Sequence, residues 1–166
     1  MSAPDYFQVF GLAPKLALDL ADLEQRFYRL SRESHPDRFQ RATPAERERS
    51  LDASAILNDA YRTLRDPILR AEYVLKRLGL PADSKQVPPE LLEEVFALNE
   101  ALEGHNAAQL KAGRSHFEAL RAQTDLELQS LFGESDEGDL AAPERIRALL
   151  NRRRYIMNLL QTAAHV

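Results

Sequence analysis

Asp19-Leu20-Ala21-Asp22-Leu23-Glu24-Gln25-Arg26-Phe27-Tyr28-Arg29-Leu30-Ser31-Arg32-Glu33-Ser34-His35-Pro36-Asp37 is the stretch that decides the fold. Leu20, Leu23, Phe27 and Leu30 recur at i, i+3, i+7 and i+10, the spacing of one buried stripe on an α-helix. Asp19 is an N-cap residue type, so the helix opens there. Pro36 stops it near Ser34, because the residue before a proline is pushed out of the helical region. The loop that follows is stiff, since the proline ring fixes its own φ at about −65°.

Downstream, Thr43-Pro44-Ala45-Glu46 combines a capping Thr, a Pro at the first helical position and a Glu three residues after the cap. The helix it opens carries Ala53, Leu57, Ala60 and Leu64 on one face and reaches about Arg65. Two such stripes must face each other, which leaves His35-Pro36-Asp37 exposed at one end of an antiparallel pair. Upstream, the apolar turn Tyr6-Phe7-Gln8-Val9-Phe10 ends at Gly11, with Pro14 just beyond. Asp66-Pro67 opens a shorter helix that ends near Gly79.

Leu80-Pro81 and the polar stretch from Ala82 to Val87 read as a linker. Three helices are predicted after it: about 88 to 103, ended by Gly104; about 106 to 132, ended by Gly133; and about 143 to 163, opened by Pro143. The acidic stretch Glu134-Ser135-Asp136-Glu137-Gly138-Asp139 reads as a solvated loop, without the ordered spacing of a Ca²⁺ loop. Long helices with short connections pack antiparallel. The expected fold is all-α: residues 1–79, a helical hairpin with short flanking helices; linker 80–87; and an antiparallel three-helix bundle, 88–166.

Composition agrees. Leu, Ala, Glu and Arg, all good helix formers, dominate the 166 residues, and there are only six glycines and no tryptophan. The net charge of −4 gives no electrostatic reason to expect nucleic acid. Residues 1–79 carry 13 Lys+Arg against 12 Asp+Glu and residues 80–166 carry 9 against 14, which suggests modules with different partners. The absence of cysteine excludes disulfides, zinc ribbons and thiol catalysis. No stretch is apolar enough to span a bilayer and Met1-Ser2-Ala3-Pro4-Asp5 is no signal sequence, so the expectation is a cytoplasmic protein with no membrane partner.

On its residues alone, His35-Pro36-Asp37 is an ordinary capping turn or a docking point for a partner's Arg or backbone groups. Catalysis by His35 and Asp37 lacks a nucleophile and an oxyanion turn, and His105, His116 and His165 form no ligand spacing. The reading is therefore not an enzyme, with no metal and no cofactor; a small helical hydrolase or metal protein is the remote competitor. Arg26, Arg29 and Arg32 line the solvent side of the helix that leads to the loop. Asp22 and Glu33 are spaced to pair with Arg26 and Arg29.

These parts, in this order, resemble the J domain, the module that stimulates ATP hydrolysis by DnaK-class chaperones. The resemblance covers residues 5 to about 78: Asp5-Tyr6-Phe7 and Gly11-Leu12; Phe27-Tyr28-Arg29-Leu30 ahead of His35-Pro36-Asp37-Arg38; Asn58-Asp59-Ala60-Tyr61 through Leu64-Arg65-Asp66-Pro67; and Arg70-Ala71-Glu72-Tyr73. It implies that His35, Pro36 and Asp37 trigger hydrolysis and that Arg29, Arg32, Arg26 and Arg38 help to bind the chaperone. Glu24 departs from a position that is basic in many members.

The second half has its own signal. Leu91, Val95, Leu98 and Leu102 form one complete stripe, while Leu92 and Phe96 lie about 100° around from it beside Glu93, Asn99, Glu100 and Glu103. Such a pair marks either a wider core face or an interaction patch. With His35-Pro36-Asp37-Arg38-Phe39, the chain length and an acidic helical second half, the whole chain resembles the HscB family of bacterial type, J-proteins of iron–sulfur cluster assembly. That resemblance implies two partners, an HscA-like chaperone and an IscU-like scaffold, the latter held by Leu92, Phe96, Glu93, Asn99, Glu100, Glu103 and Tyr155. Ala97 and Gly104 depart from acidic family positions. A J-protein for a different client is the alternative. Arg152-Arg153-Arg154 is expected to pair with carboxylates, those of the 134–139 stretch included.

Overall fold

Asp19 accepts a hydrogen bond from the Asp22 amide and starts the helix Leu20–Ser34, α2, in a computed structural model that describes residues 3–82 and 86–164. Before it stands a single turn, Tyr6–Val9, α1, capped by Asp5. After it come a 3-10 turn, Pro36–Phe39, and the helices α3, Pro44–Arg65, and α4, Pro67–Arg77. A second 3-10 turn, Pro89–Leu91, leads into α5, Leu92–Glu103; α6, Ala107–Asp136, and α7, Ala142–Ala164, complete the chain. The fold is all-α, with no strand among the described residues. The chain divides into two compact units, Met1–Val74 and Leu75–Val166. His165 and residues 83–85 of the expected linker lie outside the described residues.

In the first unit α2 and α3 form an antiparallel hairpin. The rings of Phe27 and Tyr61 stack at 4.0 Å near its middle, and Leu23, Leu57, Ala60 and Leu64 are buried between the helices and α1. The predicted capping box is present: the Glu46 amide donates to Thr43 Oγ1 at 3.2 Å, and the Thr43 amide to Glu46 Oε2 at 3.0 Å. Tyr73 of α4 stacks on Tyr6 at 4.7 Å and accepts from its amide at 3.0 Å, which fixes α1. Arg70 is buried; among its partners are the Leu16 carbonyl at 2.6 Å and the Leu64 carbonyl at 2.7 Å. A guanidinium can be buried at tolerable cost only when its donors are answered in this way.

Two expectations for this hairpin need correction. Leu20 is 47% exposed, so the α2 stripe is shorter than its periodicity suggests, and Ala53 is exposed although Ser50, one turn earlier on α3, is buried, because Ala53 lines an open groove with Leu30 and Leu57. Leu20 is the first residue of its helix, one turn before the buried Leu23. Periodicity reports the face of a helix, not where the partner helix ends.

In the second unit α6 and α7 run antiparallel for their full length. Arg114 donates to the Ala163 carbonyl at 2.9 Å, Arg153 pairs with Asp125 at 2.7 Å, and Arg145 approaches Glu134 at 3.6 Å, so the register holds from one end of the hairpin to the other. The second 3-10 turn and α5 cover one end: Leu91 of the turn and Leu98 and Ala101 of α5 meet Leu110 and Phe117 of α6 and Ile156, Leu159 and Ala163 of α7. Arg153 therefore finds its carboxylate on α6 rather than in the 134–139 stretch, where Glu134 faces Arg145 instead.

α6 does not end at Gly133 but continues through Asp136. The stop is Gly138, at φ +99°, where the amides of Gly138 and Asp139 donate back to the carbonyls of Ser135 and Glu134. Both bonds belong to the Schellman ending, which favours glycine in the left-handed region. Gly133 sits inside the helix, tolerated at a cost of about 1 kcal/mol relative to alanine. The expected acidic loop shrinks accordingly. α5, by contrast, ends at Glu103 with Gly104 as its cap, as expected, though Gly104 keeps φ at −80° and His105 takes the left-handed position at φ +48°.

Candidate functional site

The loop at the free end of the α2–α3 hairpin is built from backbone outward. Ser34, the last residue of α2, offers its carbonyl to two hydroxyls of α3: Ser50 Oγ at 2.8 Å and Ser54 Oγ at 3.1 Å. Ser50 is buried. His35 then turns into extended backbone, and its Nδ1 accepts the Asp37 amide at 3.2 Å, capping the 3-10 turn. His35 and Asp37 side chains are 55% and 76% exposed, with Nδ1 and Asp37 Oδ2 3.5 Å apart. The loop thus presents an exposed imidazole beside an exposed carboxylate.

The basic residues divide into two kinds. Arg29, Arg32 and Arg38 are exposed, and no ion pair engages Arg29 or Arg32 among the described residues; Arg38 only approaches the Arg32 carbonyl at 3.4 Å. The expected Glu33–Arg29 pair does not form. Arg26 is different. It pairs with Asp22 at 3.0 Å as expected, and its guanidinium also donates to the Phe10 carbonyl at 2.9 Å, which ties α1 to α2.

In the second unit the offset pair on α5 is exposed: Leu92 is 43% and Phe96 67% accessible. The four core positions stay inside, with Leu91 and Leu98 buried and Val95 and Leu102 half-buried. The pair therefore lies outside the core. Glu93, Asn99, Glu100 and Glu103 are exposed around it, while Tyr155 of α7 packs half-buried on the cluster beneath. Large apolar side chains ringed by carboxylates suit a partner with an apolar centre and a basic rim.

Comparison with known proteins matches both units. Residues 87–164 match a family described as the HSCB C-terminal oligomerisation domain. The co-chaperone protein HscB homolog of Vibrio cholerae is 35% identical over 153 residues, 87% of this chain and 88% of that one. The chain belongs to the HscB family. Another HscB homolog, from Bordetella pertussis, is 34% identical over 139 residues, 81% of this chain and 82% of that protein. The solved chaperone HscB from Vibrio cholerae superposes with a TM-score of 0.70 at 29% identity, covering 98% of this chain and 96% of that one. Human co-chaperone protein HscB gives 0.75 at 27% identity, covering 98% and 81%. The HscB fold of a J domain followed by a helical bundle is therefore the fold of this chain.

Sequence reasoning missed the supports of this HscB loop. Ser50 and Ser54 sit four residues apart on α3 and touch the loop only through a carbonyl, so no motif announces them. Their spacing on one helix face was the available signal. Among the described residues no group of His, Cys, Asp or Glu is arranged to hold a metal ion, and no helix is long and apolar enough to cross a membrane.

Proposed function

We propose that this HscB-family chain carries an iron–sulfur scaffold protein of the IscU kind to an HscA-like, DnaK-class chaperone in the cytoplasm and stimulates that chaperone's ATPase. The observation that carries the reading is the arrangement of exposed chemistry. One unit offers a stiff His35-Pro36-Asp37 turn flanked by Arg29, Arg32 and Arg38, and the other offers Leu92 and Phe96 in an acidic frame. Neither set is needed by its own core.

In this reading the His35 imidazole and the Asp37 carboxylate meet complementary groups on the chaperone, while the arginines dock on an acidic surface. A co-chaperone accelerates hydrolysis only by binding the hydrolysis-ready state more tightly than the resting one. A turn whose proline and whose serine-anchored entry limit its motion gives little away to disorder on binding, which sharpens that discrimination. Arg26, engaged with Phe10, contributes by holding α1 in place rather than by touching the chaperone.

Single-turnover ATP hydrolysis by the chaperone, with and without scaffold, tests the proposal. Stimulation by the wild type, its loss in His35→Gln, and loss of the scaffold's added effect in Leu92→Ala/Phe96→Ala are expected. An unchanged rate with folded wild-type protein would overturn it. Stimulation with undiminished scaffold affinity in Leu92→Ala/Phe96→Ala would assign the α5 face to a different client.

A further inference from the structure

Beside the Phe96 face lies a groove of about 370 Å³ between α5 and α6, and it contains a carboxylate, Glu94, with one oxygen left unpartnered. Ala97 and Leu98 of α5 and Ala112, Gly113 and Phe117 of α6 form its apolar lining. Glu94 and Glu100 contribute carboxylates to it. Glu94 is three-quarters buried; its Oε2 is shut off from solvent without a hydrogen-bond partner, and its Oε1 is 3.6 Å from His116 Nε2, beyond hydrogen-bond length. A carboxylate withdrawn from water without a donor is costly, so the site gains most from a ligand that brings one. The terminal torsion of a glutamate is soft, which lets either oxygen turn to meet it.

We propose that this groove is a subsite for one basic side chain, Lys or Arg, of the partner that docks on the α5 face. The inference rests on the α5 face being a protein-binding surface. The aliphatic stem of the incoming residue lies over Ala97, Ala112, Gly113 and Phe117, and its charged head reaches Glu94, with Glu100 at the rim. Long basic side chains pair an apolar stem with a charged tip in this way. Charge complementarity selects the occupant: the groove has two carboxylates and no Lys or Arg in its lining, where His116, on the Oε1 side of Glu94, is the one basic group. Continuity with Leu92 and Phe96 selects the partner, since Glu100 belongs to both surfaces. Gly113 keeps the floor open; a Cβ there meets nothing within 4 Å.

Two measurements test the subsite. In calorimetric titrations with the iron–sulfur scaffold protein, Glu94→Gln should weaken binding at least about tenfold and flatten its salt dependence. Gly113→Leu, which fills the groove from a helical position with open space, should weaken it while the protein stays folded by circular dichroism. In ¹H–¹⁵N spectra of the full chain, Nα-acetyl-arginine methylamide should shift the amides of Ala97, Ala112 and Gly113, and the neutral citrulline analogue should not. Wild-type scaffold affinity that survives both substitutions unchanged would overturn the subsite and leave the α5 face standing. If the wild type does not bind the scaffold, the client reading fails instead. The amide shifts then decide the groove: charge-selective shifts sustain it for another partner, and their absence overturns it.

Discussion

Ser50 Oγ donates to the Ser34 carbonyl at 2.8 Å, so a buried hydroxyl of α3 holds the last peptide before His35. Ser54 Oγ, one turn further on, donates to the same oxygen at 3.1 Å. The carbonyls at a helix C-terminus lack intrahelical partners, and here one of them becomes the fixed point from which the loop departs.

Ser50→Ala should therefore destabilise the first unit by about 1 kcal/mol, and Ser50→Ala/Ser54→Ala by about 2, because the double variant leaves the carbonyl without either donor. Hydrogen exchange should localise the effect. Amides 37–42 lose protection first, while α6 and α7 keep theirs. Uniform loss across both units would contradict the tether.

Arg26→Gln separates two readings of one side chain. If the Phe10 carbonyl bond is its role, urea unfolding shows a loss of roughly 1–2 kcal/mol. Chaperone stimulation per folded molecule stays near the wild-type value. Arg29→Gln should do the reverse, with stability unchanged within about 0.5 kcal/mol and stimulation reduced.

His105→Gly should stabilise the protein by about 1 kcal/mol. His105 occupies the left-handed region at φ +48°, where a side chain costs roughly 1–2 kcal/mol and glycine gives back part of that as chain entropy. Thermal melting reads the gain directly. A lower melting temperature would mean that the imidazole makes a contact worth more than the strain.

Gly133→Ala tests where α6 ends. A Cβ at Gly133 meets nothing within 4 Å, and the residue lies inside the helix, so the substitution should add about 0.5–1 kcal/mol. Gly138→Ala, at φ +99°, should cost more than that.

Much of this was legible in the sequence because it is local. Asp19, the Thr43–Glu46 box and Asp66 each cap within three residues of themselves, and each was readable from spacing alone. The exposure of Leu92 and Phe96 was readable as one of two alternatives, since an offset apolar pair either widens a core or faces out. Glycine positions misled once. Gly104 caps α5 as read, with His105 taking the left-handed position after it, whereas Gly133 read as a stop and α6 runs on to Asp136, with Gly138 left-handed. Which residue takes that conformation is settled by where the packed hairpin must turn. Long-range polar contacts left little trace: nothing in the spacing names Leu16 and Leu64 for Arg70, Asp125 for Arg153 or Ser34 for Ser50 as the partner.

Each unit has its own apolar cluster, Phe7, Phe10 and Leu23 among others in the first and Leu98, Phe117 and Ile156 in the second. The exposed turn at His35 belongs to neither. Substituting it leaves both units folded and, on the proposed reading, leaves client capture intact while removing the discharge signal. Overproduced in a cell beside the wild type, His35→Gln would then be a dominant inhibitor: it would occupy the client, arrest it short of the chaperone, and slow maturation in proportion to its share of the pool.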